Sequence, residues 1–116
     1  MKKMILASGL VFALSACGSL SPQRAVYMAK QEYTVALVIA RTYENFPRCG
    51  QTASKICSDE KVVAVLRKVD DSAVAVLDAA EEVVRTGKGD VPNAVKAAKE
   101  AVSTFVTVTK PLAGGN

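Results

Sequence analysis

SDEKVVAVLRKVDDSAVAVLDAAEEVVRT, residues 58–86, is the stretch whose reading decides the fold. Val62, Leu66, Val69, Ala73, Val76, Ala80 and Val83 recur at alternating steps of four and three, an unbroken heptad pattern. Val63, Leu77 and Val84 widen that stripe into a face suited to a bundle rather than a narrow seam. Lys68, Asp71, Ser72, Asp78, Glu81, Glu82 and Arg85 make the opposite, polar side. Ser58 is the expected N-cap, with Asp59 and Glu60 in the first turn, where the helix dipole favours anions. Glu81 and Arg85 stand four apart in the favourable order for an ion pair. Valine is a mediocre helix former, so this helix has to lean on packing against neighbours.

Those neighbours are legible on both sides. Upstream, Pro22 opens a run that no glycine or proline interrupts until Pro47. Within it Val26, Ala29, Tyr33, Ala36, Ala40 and Tyr43 form one helical stripe, and Met28, Val35, Ile39 and Phe46 form a second beside it. Downstream, TGKGD (86–90) is a stop, and Asp90 with Pro92 starts a third helix. Its stripe is Val91, Ala94, Ala98, Ala101, Phe105 and Val108, with Val95, Val102 and Val106 alongside. Pro111 ends it. The expected helices are about 24, 29 and 20 residues, or about 36, 44 and 30 Å at the rise of an α-helix. Short connections make neighbours antiparallel, so the expected fold is all-α: a small up-down-up three-helix bundle over residues 22–110, with a frayed tail at 111–116.

The chain begins MKKMILASGLVFALSAC. Lys2 and Lys3 precede an apolar run, Met4 to Leu14, which is too short to span a membrane and is followed by small residues. Leu14-Ser15-Ala16-Cys17 resembles the lipobox of bacterial lipoprotein precursors. The resemblance implies removal of residues 1–16, diacylglycerol on the Cys17 sulfur and, in Gram-negative hosts, an acyl chain on the new amino group. Gly18 in place of Asp implies the periplasmic leaflet of the outer membrane. Residues 17–21 would then be a lipid-anchored linker, and the bilayer a partner through Cys17. Two or more chains on one residue give stable attachment, at about 0.8 kcal/mol per buried methylene.

With Cys17 taken by lipid, Cys49 and Cys57 remain, in the segment RCGQTASKICSD (48–59). Export implies an oxidising compartment, and the short gap permits a structural disulfide closing loop 49–57. A redox-active dithiol would favour C-x-x-C at a helix start, which this is not.

Composition narrows the function classes. Loss of residues 1–16 removes Lys2 and Lys3 from 15 Lys plus Arg against 11 Asp plus Glu, so the mature balance is 13 − 11 = +2. Charges of both signs are interspersed and aromatics are few, which argues against a nucleic-acid surface. There is no histidine, so Ser-His-Asp and Cys-His nucleophiles and His-containing zinc sites are excluded. Neither a P-loop nor a dinucleotide-binding glycine pattern occurs. Carboxylates crowd the second helix at Asp70, Asp71, Asp78, Glu81 and Glu82, but a charged helix face is ordinarily solvated, and only Asp70 borders the apolar stripe. The expectation is therefore no enzyme, no cofactor and no metal.

What remains is a membrane-anchored envelope protein acting as a structural or protein-interaction module. Since the second helix outruns the third, its C-terminal stripe Val76, Leu77, Ala80, Val83 and Val84 is the expected contact face for an envelope protein or a second copy. The alternative is that the first helix covers it. Residues 48–59, followed by a Val- and Ala-rich helix, also resemble uncharacterised small proteins of phage and prophage gene sets. That resemblance implies an alternative role in lysis or superinfection exclusion. Lysis lipoproteins tend to be proline-rich, whereas the mature chain has only Pro22, Pro47, Pro92 and Pro111.

Overall fold

The computed structural model describes residues 21–113. Three helices fill most of that span: α1, Pro22–Glu44; α2, Glu60–Thr86; and α3, Val91–Thr109, which runs into a 3-10 turn at Lys110–Leu112. They pack as the all-α three-helix bundle that the periodicity implies, and α3 packs on both other helices.

Each helix starts where a side chain can satisfy an unpaired backbone donor. Ser21 accepts from the Arg24 amide, with Pro22 in the first turn. Asp59 accepts from the amides of Lys61 and Val62, and Asp90 from that of Asn93. The cap of α2 is thus Asp59, one residue later than expected. Ser58 is fully buried instead, with its hydroxyl donating to the Phe46 carbonyl at 2.8 Å. A carboxylate at the cap also complements the helix dipole better than a neutral hydroxyl does. At the other end of α2, Gly87 takes a left-handed conformation (φ 69°) and its amide donates to the Val83 carbonyl, a closure that glycine makes without steric cost.

The core falls into two linked layers. In one, Val26 and Ala29 of α1 meet Leu77, Ala80 and Val84 of α2 and Ala98 and Val102 of α3. In the other, Ala36, Ala40 and Tyr43 meet Val63, Leu66, Ala73 and Phe105. The start of α1 therefore lies beside the end of α2 and the start of α3, the up-down-up arrangement. Tyr33 bridges the layers, its ring 5.4 Å from that of Phe105. Alanine at the contact positions lets the helices approach closely.

The buried stripe of α2 differs from the expected one. Leu66, Ala73 and Ala80 are common to both. The remaining core positions are Val63, Leu77 and Val84, while Val62, Val69, Val76 and Val83 flank the core half-buried. The heptad that is actually inward runs 63, 66, 70, 73, 77, 80, 84, and it includes Asp70. That carboxylate is tolerated because the Tyr33 hydroxyl donates to it at 2.5 Å.

Beyond α3, Leu112 of the 3-10 turn packs against the second core layer.

Candidate functional site

The expected contact face on α2 is mostly interior. Leu77 is 3 % exposed, Ala80 1 % and Val84 7 %, all sealed between α1 and α3. The reason is topology: α3 turns back at Val91 directly beside the end of α2, and the start of α1 lies on the other side. Ala98 and Val102 as well as Val26 and Ala29 therefore cover this stripe, and the part of α2 that outruns α3 is not its C-terminal half. Val76 and Val83 are half-buried and line a shallow apolar groove between α2 and α3, with Ala80 and Ala94 beneath and Ala75, Ala79 and Ala97 at its rims. The face drawn as one strip is thus three core residues and two groove residues.

Among the described residues, apart from Ile56 in the loop and Val65 and Val74 on α2, the large apolar side chains that face solvent lie on α1. Val35 is 65 % exposed and Val38 62 %, and Met28 is also solvent-facing. Ile39 and Phe46 continue the strip half-buried. It forms one wall of a groove between α1 and α3. The middle of that groove, about 440 Å³, is lined by Glu32, Val35, Ile39, Val106, Thr109 and Lys110. One neighbouring hollow shares Glu32 and reaches Met28 and Lys99; another shares Ile39 and Ala113 and reaches Phe46 and Leu112. The three hollows follow one another along the helix. The sequence carried this signal as the second stripe of α1, where polarity alone does not tell a covered stripe from an open one.

The crowded carboxylates of α2 resolve into separate partnerships. Asp70 accepts from Tyr33, Glu81 pairs with Lys30 across to α1, and Glu82 pairs with Arg85 at 2.5 Å. Arg85 thus takes the residue three before it, not Glu81. Asp71 and Asp78 are exposed. Burial, and then the hydrogen bond to Asp70, push the Tyr33 hydroxyl well above the ordinary tyrosine range. Among the described residues no group of three or more carboxylates, thiols or imidazoles is clustered tightly enough to hold a metal ion.

Cys49 and Cys57 lie at disulfide distance, 2.00 Å between sulfurs, at the end of the bundle where α1 hands over to α2. The surrounding loop is pinned by more than that pair. The Cys49 amide donates to the Ser58 carbonyl, and the Ser58 amide to that of Pro47. The Arg48 guanidinium donates to the Ser58 hydroxyl at 2.7 Å, to the Glu44 carbonyl at 2.9 Å and to the Glu60 carboxylate at 3.2 Å. The Tyr43 hydroxyl accepts from the Asp59 amide at 2.7 Å. Periodicity places Tyr43 on the inner stripe of α1, where its ring is core, but it does not show that its hydroxyl serves the loop. Arg48 lies outside any stripe because its role is to satisfy loop backbone and side-chain groups.

Cys17, residues 1–16, most of the 17–21 linker and the last three residues of the tail lie outside the described residues. None of the described helices is long and apolar enough to cross a membrane. No protein-family model, curated protein or solved structure matches the chain.

Proposed function

We propose that this chain is a bacterial envelope lipoprotein, anchored through acylated Cys17, that acts as a structural or protein-interaction module. The observation that carries the reading is Leu14-Ser15-Ala16-Cys17 behind Lys2, Lys3 and an apolar run. Two of the three cysteines are accounted for by the Cys49–Cys57 pair, which leaves Cys17 as the third. A lipid on Cys17 stands only four residues ahead of Ser21, at most about 14 Å of extended chain, so the bundle would ride close to the bilayer. The module half of the reading is supported by the open apolar strip of α1, since contiguous exposed apolar surface commonly marks an interaction site.

Replacing Cys17 with Ser and following palmitate incorporation tests the anchor. The wild-type chain is expected to label and to sediment with membranes, and Cys17→Ser to do neither. A variant that still labels and still sediments would overturn the assignment.

A further inference from the structure

We propose that the α1–α3 face is a self-association face, covered by the same face of a second copy of this chain with its α1 antiparallel across α1. The inference rests on the interaction-module reading but not on the lipid anchor.

The groove carries charges that complement themselves under a two-fold rotation. Helices α1 and α3 run parallel, and the Tyr33–Phe105 contact sets their register. Glu32 precedes Tyr33 by one residue, while Lys110 follows Phe105 by five, so Lys110 lies level with Val38. Glu32 and Lys110 therefore stand on opposite sides of the groove, offset by about 9 Å along it at the rise of a helix. Neither Glu32 nor Lys110 has an ion-pair partner among the described residues. A two-fold axis through the middle, at the level of Val35 and Val106, exchanges the ends. It lays Glu32 of each copy against Lys110 of the other and stacks the two Val35 side chains at the axis. An isologous contact needs this kind of self-complementary patch. Lys99 sits beyond Glu32 toward Met28, outside the central crossing.

The size of the strip sets the strength. From Met28 to Phe46 is about 27 Å, and one helix is about 10 Å across. The area covered falls short of the roughly 800 Å² per partner of a standard interface, so the dimer is expected to be weak and concentration-dependent. Confinement to a membrane surface would favour it by raising the effective concentration.

Sedimentation equilibrium of the full chain in detergent, across a concentration series, is the test. The wild type is expected to approach a dimer at the upper end. Glu32→Lys or Lys110→Glu alone should weaken association about tenfold, because each change acts twice in a symmetric dimer. The double swap should return it to within about threefold of wild type. Both positions are at the surface, so thermal melting should be unchanged by either substitution. In parallel, Val35→Cys on native membranes should give a dimer-sized product with a short bis-maleimide, absent from wild type. A monomer at every concentration, a double swap weaker than both singles, or a cross-link only to a different protein or within one chain would each overturn the proposal. If Cys17 labels with palmitate and the chain stays monomeric, only this inference falls. If the chain dimerises without labelling, only the anchor falls.

Discussion

The C-terminal half of α2 and the outer side of α1 are both apolar stripes at helical spacing, and they meet opposite fates. Leu77, Ala80 and Val84 are sealed between α1 and α3, whereas Met28, Val35 and Val38 face solvent. Residue type does not separate them: both are built from aliphatic side chains with alanine nearby. The difference is cover. A helix inside a three-helix bundle has two neighbours, and each stripe is buried only where a neighbour of sufficient length lies on its side. For α2, both neighbours converge on one face. For α1, the stripe shared with α2 and α3 is covered, while the one beside it overhangs the α1–α3 crevice.

Charge placed on each stripe breaks or sharpens that contrast most strongly. Leu77→Glu is expected to unfold the domain or cost at least about 4 kcal/mol, since a carboxylate would be buried without a partner. Val35→Glu on the open strip should cost no more than about 0.5 kcal/mol. Urea unfolding of the two variants side by side measures it. Equal losses would show that the strip of α1 is also interior.

Next in size is the hand-over between α1 and α2. Replacing Cys49 and Cys57 together with Ser should cost about 2.5 kcal/mol by loop entropy, without changing helix content. Arg48 and Ser58 still hold the loop in that variant, so the bundle should keep its far-ultraviolet spectrum while its denaturation midpoint falls. Collapse of the spectrum would show that the pair supports the helices themselves.

The smallest expected effect concerns Tyr33, whose hydroxyl pairs with Asp70 on the inward stripe of α2. Tyr33→Phe should cost about 1–2 kcal/mol at neutral pH, by removing the donor to a half-buried carboxylate. The folded chain holds the Tyr33 proton more tightly than the unfolded chain does. The contribution is therefore full below about pH 10, the unfolded tyrosine value, and is lost as pH rises above it. Melting temperatures of wild type and Tyr33→Phe should converge between pH 9 and about pH 11. A constant gap over that range would remove the hydrogen bond from the account.

Much of the architecture followed from local chemistry. Pro22, Pro47, Gly87 and Pro111 punctuate the chain because ring closure or an absent Cβ restricts or frees the backbone wherever those residues stand. The three helices between them came within a few residues of their bounds, and the short gap between Cys49 and Cys57, together with the export expected from the N-terminal residues, led to the expectation that they pair. The rotation of α2 was not available that way. Hydropathy places Asp70 outside a core, so the expected stripe passed through Val69 and Val76. Only the fold brings Tyr33 to Asp70 and makes Val63, Leu77 and Val84, expected at the margin of the stripe, part of its buried centre. Ser58 looked like a cap for the same reason that it serves the loop: a short hydroxyl finds the nearest backbone group, and here that group is the Phe46 carbonyl. The sequence by itself determined where helices begin, end and carry apolar side chains, because those depend on neighbours a few residues apart. Which stripes are covered was decided by tertiary structure, because cover depends on the lengths and register of helices far apart in the chain.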